Sequence, residues 1–169
     1  MASCTEITYV NGELVGDPLD VKMFESSGWQ LRESSTDEKT SSDQNIVLAY
    51  VEPKGMKNSN SSSNSLKPDS SSDFSFTGPY VSAIIRRFEF SSALQRMSVI
   101  CKNQIDGKFR AFVKGSPELI GSLCLNSSLP PNYNEVLDNY TKEGYRVIAL
   151  ATKELKEGFN YRKAQIIDR

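Results

Sequence analysis

Histidine is absent from this sequence of 169 residues. Because histidine is the commonest general base and the commonest metal ligand of proteins, its absence argues against a histidine-dependent hydrolase or a histidine-rich metal centre. Cysteine is scarce as well: Cys4, Cys101 and Cys124 are odd in number, widely spaced and without a Cys-x-x-Cys pair. We therefore expect buried, reduced thiols in a cytosolic domain, and neither a disulfide framework nor a zinc site.

Long apolar runs and an excess of one charge are also missing. No run approaches the roughly 18 apolar residues that a membrane span needs, and Met1 does not open the basic and apolar segments of a signal peptide. The 20 basic and 21 acidic residues leave a net charge of −1, which argues against nucleic acid as a partner. We expect one monomeric domain with its own core and no direct membrane contact.

The first third of the chain carries clear turn and helix signals. Asn11-Gly12, between two short apolar runs, predicts a hairpin. Asp17-Pro18 is typical of a helix start, with an apolar stripe of Leu19, Met23 and Phe24 behind it. Residues 29–32 and 46–51 read as strands, and residues 53–78 are Ser/Asn-rich and too polar to form a core, which predicts a disordered insertion.

The second half alternates strands with helices. Asp106-Gly107 predicts a hairpin between strands at 95–102 and 109–113. One helix should begin at Pro117 and a second should run over residues 132–142, with Val136, Leu137 and Tyr140 at core spacing. An apolar strand is expected at 145–152, followed by a charged tail. This order predicts an α+β fold, an antiparallel β-sheet flanked by helices.

Residues 86–118 show the most specific pattern. Residues 86–90 and 95–100 alternate as half-buried strands do, and the strand at 109–113 ends on Lys114. Gly115 leaves room for a close backbone approach, and Ser116-Pro117-Glu118 reads as a cap, a first helical residue and a first-turn acid. An aromatic ring, an amine and free N–H groups at a helix start suit a ligand with a flat base and an anionic tail.

These residues also carry a resemblance. Phe88-Glu89-Phe90-Ser91-Ser92 through Met97-Ser98-Val99, followed by Lys114-Gly115-Ser116-Pro117-Glu118, resembles the nucleotide-binding domain of P-type ATPases. Gly16-Asp17-Pro18-Leu19-Asp20 and the run from Gly144 to Ala151 match two further family motifs in the same order. The amino-acid sequence of residues 90–99 most resembles the type-5B subgroup, the polyamine-transporting ATPases of endolysosomal membranes. Ser116 departs from the alanine that is usual in the family.

Phe90 is the first candidate site residue. Stacking of a base on an aromatic ring contributes about 1–3 kcal/mol. In a regular strand Phe88 and Phe90 lie on one face, so the pattern alone also allows both to be core residues. The resemblance implies instead that Phe90 stacks on adenine and that Phe88 stays in the core.

Lys114, Gly115 and Asp20 are further candidates. An amine after a buried strand is unfavourable unless something satisfies it; Lys114 either lines the nucleotide pocket, as the resemblance implies, or extends to water. Gly115 should let the ligand approach the backbone, and Gly16 either does the same or only shapes a turn. Asp20 aligns with a family acid near the adenosine, although a solvated helix acid is an equal alternative.

Arg146 and Gln95 complete the set. Arg146 falls in the predicted apolar strand, and the resemblance implies that it reaches the phosphates with bidentate geometry; a local salt bridge with Glu143 is the alternative. Gln95 stands where many P-type ATPases have a lysine, so it can donate a hydrogen bond but no charge. Arg96 could replace that lysine, although strand alternation points it to the other face.

The resemblance implies that residues 1–152 form the nucleotide-binding domain and that residues 153–169 are a linker toward a phosphorylation domain of the same parent chain. The Asp-Lys-Thr-Gly motif of the family is absent. We therefore expect the chain to hydrolyse no ATP alone. The resemblance implies that it binds ATP, as Mg-ATP in the parent, on the cytoplasmic side of an endosomal, lysosomal or other internal membrane. The alternative function is a regulatory or protein-interaction module with vestigial nucleotide binding.

Overall fold

A computed structural model of the chain describes residues 1–33, 47–54 and 81–168. Strands and helices follow one another in an α+β arrangement. They are, in chain order, β1 (Ile7–Val10), β2 (Glu13–Gly16), α1 (Pro18–Ser26), β3 (Trp29–Glu33), β4 (Ala49–Pro53), β5 (Ser82–Ser91), β6 (Arg96–Asn103), β7 (Phe109–Gly115), α2 (Pro117–Leu123), a 3-10 turn (Asn126–Ser128), α3 (Tyr133–Lys142), β8 (Ala149–Glu154) and α4 (Tyr161–Ile166).

Strands β3 to β8 form a sheet in which every neighbouring pair is antiparallel and the spatial order follows the chain order. Strands β1 and β2 form a separate hairpin. Its turn residues Asn11 and Gly12 have φ of 53° and 83°, the left-handed pair that a two-residue hairpin turn requires. The predicted hairpin and the predicted antiparallel α+β fold are both confirmed.

The two faces of the sheet are covered by different elements. One face, with Met97, Val99 and Cys101 of β6, packs against Ile7 of β1 and Phe24 of α1. The other face packs Ala83, Ile85 and Ile100 against Ala164 of α4. We call these the hairpin face and the α4 face. The alternation along β6, with Val99 on the first face and Ile100 on the second, is the period-2 pattern that the sequence predicted.

Two predictions for the second half of the chain are wrong. The strand predicted at 145–152 begins only at Ala149, because its partner β7 ends where Gly115 pairs with Ala149 and the chain then turns into α2. Helix α3 has no buried residue, and its predicted core residues Val136 and Tyr140 are 39% and 51% exposed. The apolar side of α3 lines an open groove beside residues 147–149. The helical spacing of its apolar residues therefore identifies the side that faces the protein, but that side is only partly buried.

The charged tail contributes to the domain. Strand β8 continues to Glu154, and α4 places Ala164 against the α4 face of the sheet, where Arg86 donates a hydrogen bond to its carbonyl oxygen (3.3 Å). These residues, predicted as a linker, thus cover one sheet face, and a connection to a further domain stays a prediction. Residues 55–78 of the predicted Ser/Asn-rich insertion lie outside the described residues.

Among the residues that the structure describes, no helix is both long and apolar enough to cross a membrane. The same residues contain no cluster of three or more acidic, cysteine or histidine side chains that could ligate a metal ion.

Candidate functional site

A cleft of about 410 Å³ opens on the hairpin face, where the ends of β5, β6 and β7 meet α1 and the loop before β8. All six predicted site residues line it: Asp20, Phe90, Gln95, Lys114, Gly115 and Arg146. They come from five separate segments. The antiparallel pairing of β5, β6 and β7 brings together the end of β5, the turn between β5 and β6, and the end of β7. Its other lining residues include Glu6, Met97 and residues 147–148.

The floor of the cleft is a buried ion pair between Lys114 and Asp20, whose side chains are 9% and 10% exposed. Lys114 leaves β7 beside Met97, its cross-strand partner. Asp20 lies in the first turn of α1, where its second carboxylate oxygen accepts a hydrogen bond from the backbone N–H of Glu6 (2.9 Å). Buried charges of opposite sign need each other, because either one alone would be strongly destabilising.

This ion pair corrects two alternatives from the sequence. Lys114 does not extend to water, and Asp20 is no solvated helix acid, since both residues are 7% exposed. The reason is that α1 turns Asp20 and Phe24 toward the sheet, whereas Leu19 of the predicted apolar stripe remains 38% exposed. Consequently the positive charge of Lys114 already has a counter-charge in Asp20 before any ligand enters.

Phe90 stands at one side of the cleft and is 54% exposed. The pairing of β5 with β6 shifts by one residue between Phe88 and Ser91, and such a bulge reverses the direction of the side chains beyond it. Phe88 therefore packs on the α4 face, while Phe90 lies in the cleft on the hairpin face. The alternative in which both rings are core residues on one face, which holds only for a regular strand, is therefore wrong.

The turn between β5 and β6 forms the rim of the cleft opposite the loop before β8. Gln95 has a left-handed φ of 47°, and its carbonyl oxygen accepts from the N–H of Ser116 (3.1 Å). A Cβ at position 115 would lie 2.2 Å from that same carbonyl oxygen. Gly115 is thus required by the protein's own backbone, and Gly16 likewise, where a Cβ would lie 2.5 Å from the carbonyl oxygen of Glu6.

Gln95 and Ser116, the two departures from the family pattern, contact each other. The hydroxyl of Ser116 donates to the side-chain oxygen of Gln95 (3.3 Å) and accepts from the N–H of Leu119 (3.4 Å) as the cap of α2. Two N–H groups at this helix start are therefore satisfied within the protein, and Pro117 has none. The free N–H groups predicted here are at least partly used up.

Arg146 lies in the loop before β8 and is exposed, not in a strand as predicted. In the described part of the chain it forms no ion pair with Glu143, the partner that the sequence offered. Its guanidinium is therefore available at the rim of the cleft. Arg96 does not line the cleft, as strand alternation predicted.

Glu6 is a lining residue that the sequence reasoning missed. Its carboxylate accepts a hydrogen bond from the backbone N–H of Phe90, 84 positions away. Nothing in the local pattern of residues 3–10 distinguishes Glu6 from an ordinary strand acid, because the contact depends on the bulge in β5. Only the fold brings the two segments together.

The three cysteines are free; Cys4 and Cys101 are buried, as predicted, whereas Cys124 at the end of α2 is only half-buried, so its predicted burial is wrong. Burial raises the pKa of Cys4 to about 11, although the nearby Lys114 lowers it. Burial also raises the pKa of Cys101 to about 12. The thiol of Cys4 lies against the carbonyl oxygens of Met97 (3.9 Å) and Phe112 (3.8 Å) beneath the cleft. Protonated, buried thiols are poor nucleophiles, so Cys4 and Cys101 contribute packing.

Comparison with known proteins identifies the family to which the chain belongs. The family model described as "P-type ATPase, cytoplasmic domain N" matches residues 81–168. The human polyamine-transporting ATPase 13A3 is 41% identical over an alignment that covers all of this chain and 14% of that protein.

More distant relatives agree. The human polyamine-transporting ATPase 13A2 is 37% identical, with 92% of this chain and 12% of that protein covered. The vacuolar cation-transporting ATPase YPK9 of Saccharomyces cerevisiae is 36% identical, with 92% and 11% covered. The chain thus spans only 11% to 14% of the length of these three relatives. It belongs to the P-type ATPases and corresponds to their cytoplasmic domain N.

Proposed function

We propose that the cleft binds the adenosine part of ATP, with the adenine stacked on Phe90 and the phosphates directed toward Arg146. The observation that carries this proposal is the convergence of an exposed ring, a buried polar floor and an exposed guanidinium in one cleft. Its volume of about 410 Å³ lies within the range of small-molecule sites, roughly 300–1,000 Å³.

The residues fit the two ends of a nucleotide differently. Phe90 offers a ring face for stacking, and Asp20 and Lys114 offer oriented polar atoms beside it. The triphosphate needs cations, and because Lys114 is paired with Asp20, Arg146 is the cation of the cleft that remains available. Gln95 adds a neutral hydrogen-bond donor at most. We therefore expect weak binding, with a dissociation constant near ~1 mM.

In the longer parent protein, the domain would hold ATP while an aspartate on a separate phosphorylation domain receives the γ-phosphate. The nucleotide in the parent protein would be Mg-ATP. Relatives whose alignments cover 92% to 100% of the chain are named as transporters of polyamines or cations. We extend that role, and an endosomal, lysosomal or other internal membrane, to the parent, and we expect the chain alone to bind ATP without turnover.

The test is an amide NMR titration of the chain with ATP and with AMP, together with an assay for phosphate release. We expect saturable shifts at Phe90, Lys114 and Gly115 for both ligands and no turnover. Phe90→Ala should weaken both about tenfold, the loss of one stacked base at about 1–3 kcal/mol. Tyr9→Ala, which removes another exposed ring from the β1 strand, is the matched control and should change neither.

The absence of any saturable shift at several times the expected dissociation constant would overturn the proposal. The regulatory or interaction module would then be the better reading of the same fold. Measurable phosphate release by the pure chain would overturn the proposal that this domain only binds ATP and that a separate domain is needed for phosphoryl transfer.

A further inference from the structure

The backbone of Phe90 is held by a side chain from near the start of the sequence, 84 positions away. The bulge between Phe88 and Ser91 removes Phe90 from the paired register with β6. Its N–H donates to the carboxylate of Glu6, a half-buried residue. Water can reach this exposed N–H, but a charged carboxylate is a stronger acceptor than a neutral oxygen.

Glu6 is itself fixed from the floor of the cleft. The backbone N–H of Glu6 donates to Asp20 (2.9 Å), whose other oxygen pairs with Lys114. A continuous series of polar contacts therefore runs from Lys114 through Asp20 and Glu6 to Phe90. Glu6 is the one residue of this series that contacts both the floor, through its backbone, and the ring-bearing segment, through its side chain.

We infer that Glu6 is a positioning residue: its carboxylate holds the bulged backbone of Phe90 so that the ring stands in the cleft before a ligand arrives. This inference rests on the proposed function, since it assigns Glu6 to the same site. An exposed ring that is fixed in advance loses less conformational freedom on binding than one that must be ordered by the ligand. The hydrogen bond thus raises affinity for the base without touching the ligand.

Two substitutions separate the reach of Glu6 from its charge. Glu6→Gln keeps the length of the side chain and an acceptor oxygen but removes the charge. Glu6→Asp keeps the charge but shortens the side chain by one methylene. Glu13→Gln is the matched control, because Glu13 is an exposed acid of the same hairpin and lies outside the cleft.

Adenosine is the ligand used, because it is neutral and reports on the base alone. We expect Glu6→Asp to weaken adenosine binding about fivefold, in line with the loss of one hydrogen bond at roughly 1 kcal/mol. Glu6→Gln should stay within about threefold of the parent chain, and Glu13→Gln should be unchanged. Without ligand, the amide of Phe90 should exchange with solvent about tenfold faster in Glu6→Asp than in Glu6→Gln, since it loses its acceptor.

Two results would overturn the inference. One is parental adenosine affinity, or parental exchange of the Phe90 amide, in Glu6→Asp. The other is equal weakening by Glu6→Gln and Glu6→Asp, which would assign the effect to something other than reach. If the parent chain binds no adenosine, the proposed function is what fails, and the inference falls with it. Amide spectra of each variant show whether it is folded.

Discussion

The floor and the rim of the cleft are built in opposite ways. On the floor, Lys114 and Asp20 are buried and satisfy each other. At the rim, Arg146 is exposed, and the side chain of Gln95 accepts a hydrogen bond from the hydroxyl of Ser116. Charges in water are screened and gain little until a ligand removes the water, whereas buried charges depend on each other at all times. The floor should therefore determine whether the cleft exists, and the rim which ligand it prefers.

The difference changes how the lysine of the Lys114-Gly115-Ser116-Pro117-Glu118 motif is interpreted. A lysine that lines a nucleotide cleft is readily taken as a cation for phosphate. Here its amine belongs to an ion pair that also orients Glu6 through Asp20. Its removal would leave a buried carboxylate without its counter-charge, so a binding defect in a Lys114 variant would reflect lost structure before lost contact.

The largest expected effect comes from breaking the floor. Asp20→Ala should lower the free energy of unfolding by about 3–5 kcal/mol, because it leaves Lys114 buried without a partner. The double variant Asp20→Ala with Lys114→Met should recover much of this loss, since no uncompensated charge remains. Urea denaturation measures both effects.

Asp138→Ala, which removes an exposed acid from α3, is the control and should stay within about 0.5 kcal/mol of the parent. A parental stability of Asp20→Ala, or a double variant less stable than the single one, would contradict the comparison.

An intermediate effect is expected at the rim. Arg146→Ala should leave the free energy of unfolding within about 0.5 kcal/mol, because the side chain is exposed. ATP binding should weaken about tenfold at low salt, or about 1.4 kcal/mol, whereas adenosine binding should not change. The measurement is a pair of titrations at two salt concentrations, with a smaller ATP effect at the higher one.

Arg162→Ala is the matched control, because Arg162 is an exposed arginine of α4, the helix on the opposite face of the sheet. Equal losses for ATP and adenosine in Arg146→Ala would show that the loop, and not the guanidinium, is what the ligand needs.

The smallest effect should come from the contact between Ser116 and Gln95. A double-mutant cycle with Ser116→Ala and Gln95→Ala should give a coupling free energy for ATP binding of about 0.5 kcal/mol or less, as for an exposed hydrogen bond. Ser122→Ala provides the control for removing an exposed serine of the same helix. A coupling above about 1 kcal/mol would move Gln95 from the rim to the binding core of the site.

The sequence predicted the members of the cleft better than their interactions. Local signals sufficed for the Asn11-Gly12 turn, for the cap at Asp17 and for the order of strands around Lys114, because each depends on neighbouring residues. The pairing of Lys114 with Asp20 joins positions 94 apart. No local period encodes such a contact, so Asp20 appeared equally suited to solvent.

Irregular backbone explains the other misses. The bulge at Phe88–Ser91 adds one residue to β5, and that single residue decides which face carries Phe90. The apolar residues of 145–152 predict a strand that includes Arg146. Pairing stops where β7 ends, so the strand begins at Ala149 and Arg146 lies in the preceding loop. In both cases the residues of the segment predict a strand, but the pairing with the neighbouring strand decides which face a side chain takes and where the strand begins.

The position of α4 has a consequence for how the domain is made in the cell. Ala83, Ile85 and Ile100 belong to strands in the middle of the described chain, but Ala164, which covers them, lies near its end. A chain emerging from the ribosome at about 5–20 residues per second therefore exposes this apolar surface for several seconds after β5 and β6 can pair. Until α4 emerges, the nascent domain presents a sheet with one open side to chaperones and to neighbouring chains.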